Sequence, residues 1–213
     1  FEQLLTRSAL RSARVRLTAT TGTVFSGEGA GSGPTLCITA DDLIEYPREL
    51  YEKGATVMIS RRPQSSTDPL AGHKTTCYLP RLLALQEARM AQCGEALFFD
   101  ESNHLAEGAV SNVFIVKQGT LLTPPLSTPV LPGIARALVL DLAREEGIPA
   151  GDDAPLTIHD VLDAEEVFLT NSLMQVMPVT RVERRDIANS KPGEITRRLL
   201  AAYQAKVREE CGG

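Results

Sequence analysis

His73-Lys74-Thr75-Thr76-Cys77-Tyr78-Leu79 opens the stretch around which the chain is organised, and Leu105-Ala106-Glu107-Gly108-Ala109-Val110-Ser111-Asn112-Val113-Phe114 closes it. A run with helical spacing lies between them, so one lysine and one glutamate stand at the two ends of a helix–strand unit. The chain has 22 basic residues, yet its lysines are only Lys53, Lys74, Lys117, Lys191 and Lys206. Lys53 precedes Gly54 at a helix end, where a cation suits the helix dipole. Lys117 precedes the Gln118-Gly119 turn, Lys191 precedes Pro192-Gly193, and Lys206 falls on the polar face of the last helix. Lys74 differs, because it follows a flexible stretch and leads directly into the apolar helix Leu79 to Met90. A lysine placed there is set to lose its water, which makes the amine nucleophilic. By position alone a surface lysine is the commoner case, since lysines are rarely buried.

With 213 residues the chain can bury a substantial core and form one or two domains. Hydrophobic residues make up 43% and charged residues 23%, an ordinary globular balance. The net charge of −5 gives no reason to propose nucleic acid or an acidic membrane as partner. No apolar run is long enough to span a bilayer. Cys37, Cys77, Cys93 and Cys211 show no paired spacing, and with three scattered histidines they make no zinc pattern, so no metal is expected. Reduced cysteines in the cytoplasm are the simplest reading. Phe1 to Ser8 reads as the tail of a helix already under way, which implies a preceding segment.

Polar–apolar alternation predicts a strand over Arg14–Ala19, and Thr35–Thr39 and Ala55–Ser60 read as two more, with a long turn from Gly22 to Pro34 and a short helix over Pro47–Lys53. Arg61 to Gly72 is polar, with two prolines and two serines, and is read as a linker. This gives two domains, residues 1–71 and 72–213. In the second, helices are expected over Leu79–Cys93, Gly133–Glu146, Asp160–Ala164 and Gly193–Arg208. Leu82, Leu83, Leu85, Ala88 and Met90 form the apolar set of the first of these. Strands are expected over Glu95–Phe99, Leu105–Glu107, Asn112–Val116, Thr120–Leu122, Glu166–Thr170 and Val176–Val182. The order reads as α+β, or mixed α/β with antiparallel hairpins, and it lacks a dinucleotide fingerprint.

A lysine paired at a distance with a carboxylate answers the two main demands of pyridoxal 5'-phosphate. The amine forms a Schiff base, and the carboxylate keeps the pyridine nitrogen protonated so that the ring can withdraw electrons. The phosphate of such a cofactor sits well at a helix N-terminus. Pro132-Gly133-Ile134-Ala135-Arg136 fits, with a proline start, a glycine for close backbone approach, and N–H groups from Ile134 and Ala135. Thr170-Asn171-Ser172 is a second donor set. Pro-Gly opening a helix is also simply a good start signal.

Together these motifs resemble the fold-type IV, or class IV, aminotransferase family, which includes branched-chain and D-amino acid aminotransferases and 4-amino-4-deoxychorismate lyases. The likeness runs from about Arg14 to the last helix. It is densest at Lys74–Leu79, Glu107–Phe114, Thr123-Pro124, Leu131–Arg136, Ala164–Leu169 and Asn171–Val179. The resemblance implies a fold of two domains whose small N-terminal domain is incomplete here. It implies that Lys74 is the Schiff-base lysine and proton carrier, and that Glu107 partners the pyridine nitrogen. It sets Gly133, Ile134, Ala135 and Ser172 at the phosphate and Tyr78 at the cofactor's phenolic oxygen. Cys77 stands where the family usually has asparagine, and Ala135 replaces a common threonine. The family's N-terminal arginine motif for the phosphate has no counterpart in the chain.

The resemblance implies an enzyme that moves an amino group between a small-molecule amino acid and a 2-oxo acid, acting as a homodimer. A lyase that releases pyruvate from 4-amino-4-deoxychorismate uses the same residues and is similar over Asn171–Val179. A non-catalytic family member is a third reading. His73 is expected at the domain hinge, and Arg61-Arg62 and Arg184-Arg185 read as solvated faces, with a substrate carboxylate near the hinge as the alternative partner of Arg61 or Arg62.

Overall fold

The computed structural model describes residues 2–10, 12–22 and 33–211. Most of the expected turn from Gly22 to Pro34 lies outside them. The chain forms two compact units, Phe1–Glu45 and Tyr46–Gly213. In the first, helix α1 (Glu2–Ser8) precedes an antiparallel pair, β1 (Ala13–Thr20) and β2 (Thr35–Asp42), whose register runs from Ala13 opposite Asp42 to Thr20 opposite Thr35.

The second unit is built on a nine-stranded mixed sheet. Its strands are β3 (Ala55–Ile59), β4 (Glu95–Phe99), β5 (Leu105–Gly108), β6 (Asn112–Lys117), β7 (Thr120–Leu122), β8 (Ala150–Gly151), β9 (Glu166–Asn171), β10 (Gln175–Val182) and β11 (Arg185–Asp186). The order is β5-β4-β3-β10-β9-β6-β7-β8, with β11 on β10. β3 runs parallel to both β10 and β4, while β9 pairs antiparallel with both β6 and β10. The expected mixed architecture is present. The boundary between units falls earlier than 71/72, because Ala55–Ile59 is an inner strand of the large sheet. The polar segment after it is tied to the same unit, with Gln64 N–H donating to Phe99 O at 2.9 Å.

Alternation along the strands gives the sheet two apolar faces. Val113 and Ile115 of β6 face a core with Val167, Leu169, Met177 and Val161, the last from helix α5 (Ile158–Leu162). Phe114, Val116, Phe168 and Val176 face the opposite core, covered by helices α4 (Ile134–Glu145) and α6 (Glu194–Cys211). Phe114 and Phe168 sit opposite each other in register and stack at 4.9 Å. Helix α2 (Arg48–Lys53) sets Leu50 and Tyr51 against the first core.

Helix α3 (Leu79–Met90) follows another rule. Its buried residues are Ala84 and Ala88, packed on Ala96, Phe98 and Ala106. Leu82, Leu83 and Met90, expected to face the core, are exposed at 50%, 39% and 79%. Small residues let the helix backbone approach the sheet closely, so the alanine stripe takes the packing face and the longer side chains turn outward. Among the described residues no helix is long and apolar enough to cross a membrane.

The N-terminus of α5 lies two residues before the expected 160–164 helix, where Thr157 and Asp160 form a reciprocal capping box. Lys117 Nζ donates to Asp160 at 2.6 Å. That bond, with those from Thr157, holds the Asp160 carboxyl down at about 2. A carboxyl lowered by folding stabilises above its unfolded pKa, and the contribution is lost as pH falls through the folded one. Asp160→Asn should therefore lower unfolding free energy by about 1 kcal/mol at neutral pH, as loss of a cap does. In urea titrations the difference from wild type should shrink below the ordinary aspartate value of 3.8 and vanish near 2.

Candidate active site

Three helix starts in the large unit treat their free N–H groups differently. Each α-helix begins with N–H donors that have no partner inside the helix. At α6 the Glu166 carboxylate accepts from Ile195 N, Thr196 N and Thr196 Oγ1 at 2.6–3.0 Å. At α5 the capping box does this work. At α4 the N-cap is Gly133, and no side chain caps the helix. The donors of Ile134 and Ala135 border a cavity of about 310 Å³ instead.

That cavity is lined by Lys74, Tyr78, Glu107, Gly133, Ile134, Ala135 and Ser172, the seven residues singled out in the sequence, together with His73, Arg81, Asn112 and Thr170. It lies where β6 begins, β9 ends and the β5–β6 loop turns. Lys53, Lys117 and Lys206 each pair with a carboxylate. Lys74 has no hydrogen-bond or ion-pair partner among the described residues. It is exposed, on the surface turn ahead of α3. The desolvation expected from its place before an apolar helix is absent, because α3 buries its alanines and not the turn that precedes it. His73, expected at a hinge, lines the cavity beside Lys74. Arg62 bridges to Glu87 of α3 at 2.8 Å.

Glu107, on β5, is 2% exposed. Its Oε1 accepts from Arg81 Nη2 and from Gln64 Nε2, the latter at 3.3 Å, and its Oε2 accepts from Leu131 N at 3.1 Å. Tyr78 Oη donates to Ala109 O at 3.2 Å. Gly133 has an extended backbone with φ of −69°, and a Cβ there would collide with Asn112 Oδ1. The close approach that demands glycine is thus made to Asn112, whose amide also donates to Leu131 O at 2.8 Å. The Asn171 side chain shapes the other wall. Its Oδ1 accepts from Leu173 N and Met174 N, each at 2.8 Å, and its Nδ2 donates to Val110 O at 2.9 Å. Ser172, next along, is exposed at the rim.

A second buried carboxylate holds the β5–β6 loop. Glu95 Oε1 accepts from Ala96 N and Ala109 N, and Oε2 from Val110 N and Ser111 Oγ, at 3.0–3.3 Å. Burial pushes this carboxyl up from its ordinary value, and the four hydrogen bonds oppose the rise. Glu95, Gln64 and Arg81 were not legible as site residues. The available signals were a charge opening the otherwise apolar strand Glu95–Phe99, and an arginine three residues after Tyr78 on one helix face.

The chain matches the family model described as amino-transferase class IV over residues 1–182. It belongs to the class IV aminotransferase family. A putative branched-chain-amino-acid aminotransferase of Methanocaldococcus jannaschii is 37% identical over 201 residues, 92% of this chain and 67% of the relative. The branched-chain-amino-acid aminotransferase of Escherichia coli K12 is 32% identical over 190 residues, 84% of this chain and 61% of the relative. This class IV chain thus spans about two thirds of the length of such relatives. Its fold matches the crystal structure of the Escherichia coli branched-chain amino acid aminotransferase with a TM-score of 0.86 at 30% identity, over 95% of this chain and 68% of the other. It also matches a T.th. branched-chain amino acid aminotransferase solved with pyridoxamine 5'-phosphate, at a TM-score of 0.85 and 27% identity, over 95% and 68%.

Gly108 tests the packing of the loop that this class IV chain builds on Glu95. A Cβ at Gly108 would collide with Ser111 Oγ and stand 3.2 Å from Glu95 Cδ. Gly108→Ala should cost about 1–3 kcal/mol in chemical unfolding, the usual effect of overpacking. Adding Ser111→Ala should recover part of the loss. An unchanged midpoint for Gly108→Ala would show that the loop yields without cost.

Proposed function

We propose that this protein is an aminotransferase that uses pyridoxal 5'-phosphate to move an amino group between a branched-chain amino acid and a 2-oxo acid. The observation that carries the reading is one cavity containing an unpaired lysine, a buried carboxylate and an uncapped helix start. The class of substrate is supported by the names of the two relatives at 37% and 32% identity.

The residues fit the cofactor by donor count. A carboxylate has about four acceptor positions. Three on Glu107 are taken, two at Oε1 and one at Oε2, which leaves one at Oε2 for a single ring N–H. The N–H groups of Ile134 and Ala135, the α4 dipole and the Ser172 hydroxyl suit a phosphate dianion. Ala135 offers its backbone N–H without the hydroxyl of a threonine. Tyr78 Oη gives its one proton to Ala109 O, so toward a phenolic oxygen in the cavity it offers an acceptor lone pair unless that bond is exchanged.

When bound, the cofactor supplies a carbonyl carbon that condenses with amines and a ring that draws electrons from the substrate's α-carbon. Lys74 Nζ would hold the cofactor through that carbon and, once freed by the substrate amine, would carry the proton taken from the substrate Cα. Glu107 Oε2 would hold the proton on the ring nitrogen. The Ala109–Ser111 loop, fixed by Glu95, and the Asn171 turn form the walls that orient the substrate. We further assign the protein to the cytoplasm, where its four free cysteines suit a reducing environment, and to a homodimer that covers the exposed leucines of α3.

The test is an absorption spectrum with added pyridoxal 5'-phosphate, then borohydride reduction and peptide mapping. A permanent adduct on Lys74 is expected, and an adduct elsewhere would refute the assignment. In assays with a panel of amino donors, Lys74→Ala should lose at least about 10³-fold in turnover while keeping its unfolding midpoint. Glu107→Gln should bind the cofactor but turn over slowly. Pyruvate release from 4-amino-4-deoxychorismate, without transfer to any 2-oxo acid, would select the lyase reading instead.

A further inference from the structure

We propose that Arg81 is a positioning residue that fixes Glu107 by Oε1, so that a ring nitrogen in the cavity meets the carboxylate through Oε2 alone. The inference rests on the cofactor reading above and adds a residue to it. Arg81 lies in the first turn of α3, three residues after the helix N-cap Tyr78. Its two terminal nitrogens do different things. Nη2 bridges to Glu107 Oε1, and Nη1 donates to Gly108 O at 3.1 Å. The guanidinium carbon lies 5.7 Å from the centre of the Phe98 ring. Three attachments therefore hold one planar group whose side chain is 22% exposed.

The geometry explains why the cation at this place is an arginine. A fork can reach the carboxylate and the next residue's carbonyl at once, whereas a lysine is a point charge on a flexible stem. The side chain of Glu107 is 3% exposed, and Arg81 is its cationic partner. A buried charge without its partner is strongly disfavoured. Gln64 and Leu131 contribute neutral N–H groups only. The pair also sets what a ligand encounters at this wall. Both residues line the cavity, so a ring nitrogen there meets an ion pair of no net charge, with one oxygen locked and the other partly free. Arg81 further joins α3, which begins five residues after Lys74, to β5.

The test compares the affinity of the protein for pyridoxal 5'-phosphate with that for an analogue in which carbon replaces the ring nitrogen. Binding is read by fluorescence quenching and absorption, without turnover. Arg81→Met should weaken the natural cofactor at least about tenfold, the size of one charge-assisted hydrogen bond, and the carbon analogue less than about twofold. Arg81→Lys should recover part of the difference. Equal weakening of both ligands would make Arg81 a structural residue only, and no weakening would also overturn the proposal. If Arg81→Met fails to fold, Arg81→Met with Glu107→Gln removes the unpaired charge. That pair should show the same ratio of affinities as Glu107→Gln alone, and a different ratio would mean that Arg81 does not act through Glu107. A wild-type protein that binds neither ligand, with no adduct on Lys74, would instead overturn the cofactor reading itself.

Discussion

A carboxylate buried at the end of a sheet has to be given donors, and in this chain two such carboxylates lie on neighbouring strands. Glu95 and Glu107 face the same short loop from β4 and β5. Glu95 binds the backbone of Ala96, Ala109 and Val110 and the hydroxyl of Ser111, so it dictates the path of the loop. Glu107 gathers three separate segments, the stretch around Gln64, helix α3 through Arg81, and the approach to α4 through Leu131. Burying either group alone would cost several kcal/mol, on the order of a lost ion pair or more. The hydrogen bonds that offset this cost are the same ones that shape the cavity wall. Gly108 stands between the two glutamates because no side chain fits there.

The open end of α4 follows from the same competition for donors. α5 and α6 close their N-termini with Asp160 and Glu166, carboxylates supplied by the fold. α4 starts at a glycine pressed against Asn112, where no capping side chain can be accommodated, and its donors remain directed at the cavity. A helix left uncapped loses about 1 kcal/mol relative to a capped one. The free N–H groups at such a start are suited to an anion, which is the use proposed for them above. Lys74 lines the same cavity and has no partner among the described residues, whereas Lys53, Lys117 and Lys206 have formed ion pairs.

Much of this was legible in the chain. Pattern located nearly every element of the large unit, because β6, β9 and β10 are short apolar runs bounded by polar residues and α4 and α6 carry apolar faces at helical spacing. The segment 61–72 was misread as a domain boundary, since its polar composition does not reveal that Gln64 is held by β4 and β5. The packing face of α3 was misread as well. Hydrophobicity ranks leucine above alanine, but a helix lying close on a sheet is selected for small residues. Arg81 and Glu95 were overlooked because an isolated charge on a helix or strand reads as solvated until its partner, 26 or 14 residues away, is brought beside it.

The sequence by itself determined the order of elements, the spaced motifs of the class IV family and the residue types that the cofactor chemistry needs. Those are local properties of period, turn chemistry and side-chain identity. Only the tertiary structure decided that Lys74 is exposed and unpaired, that Glu107 keeps one free acceptor position, and that α4 alone of the three later helices faces the cavity uncapped. Each of these depends on which groups from distant segments compete for the same donors, and that competition is settled only when the segments are packed together.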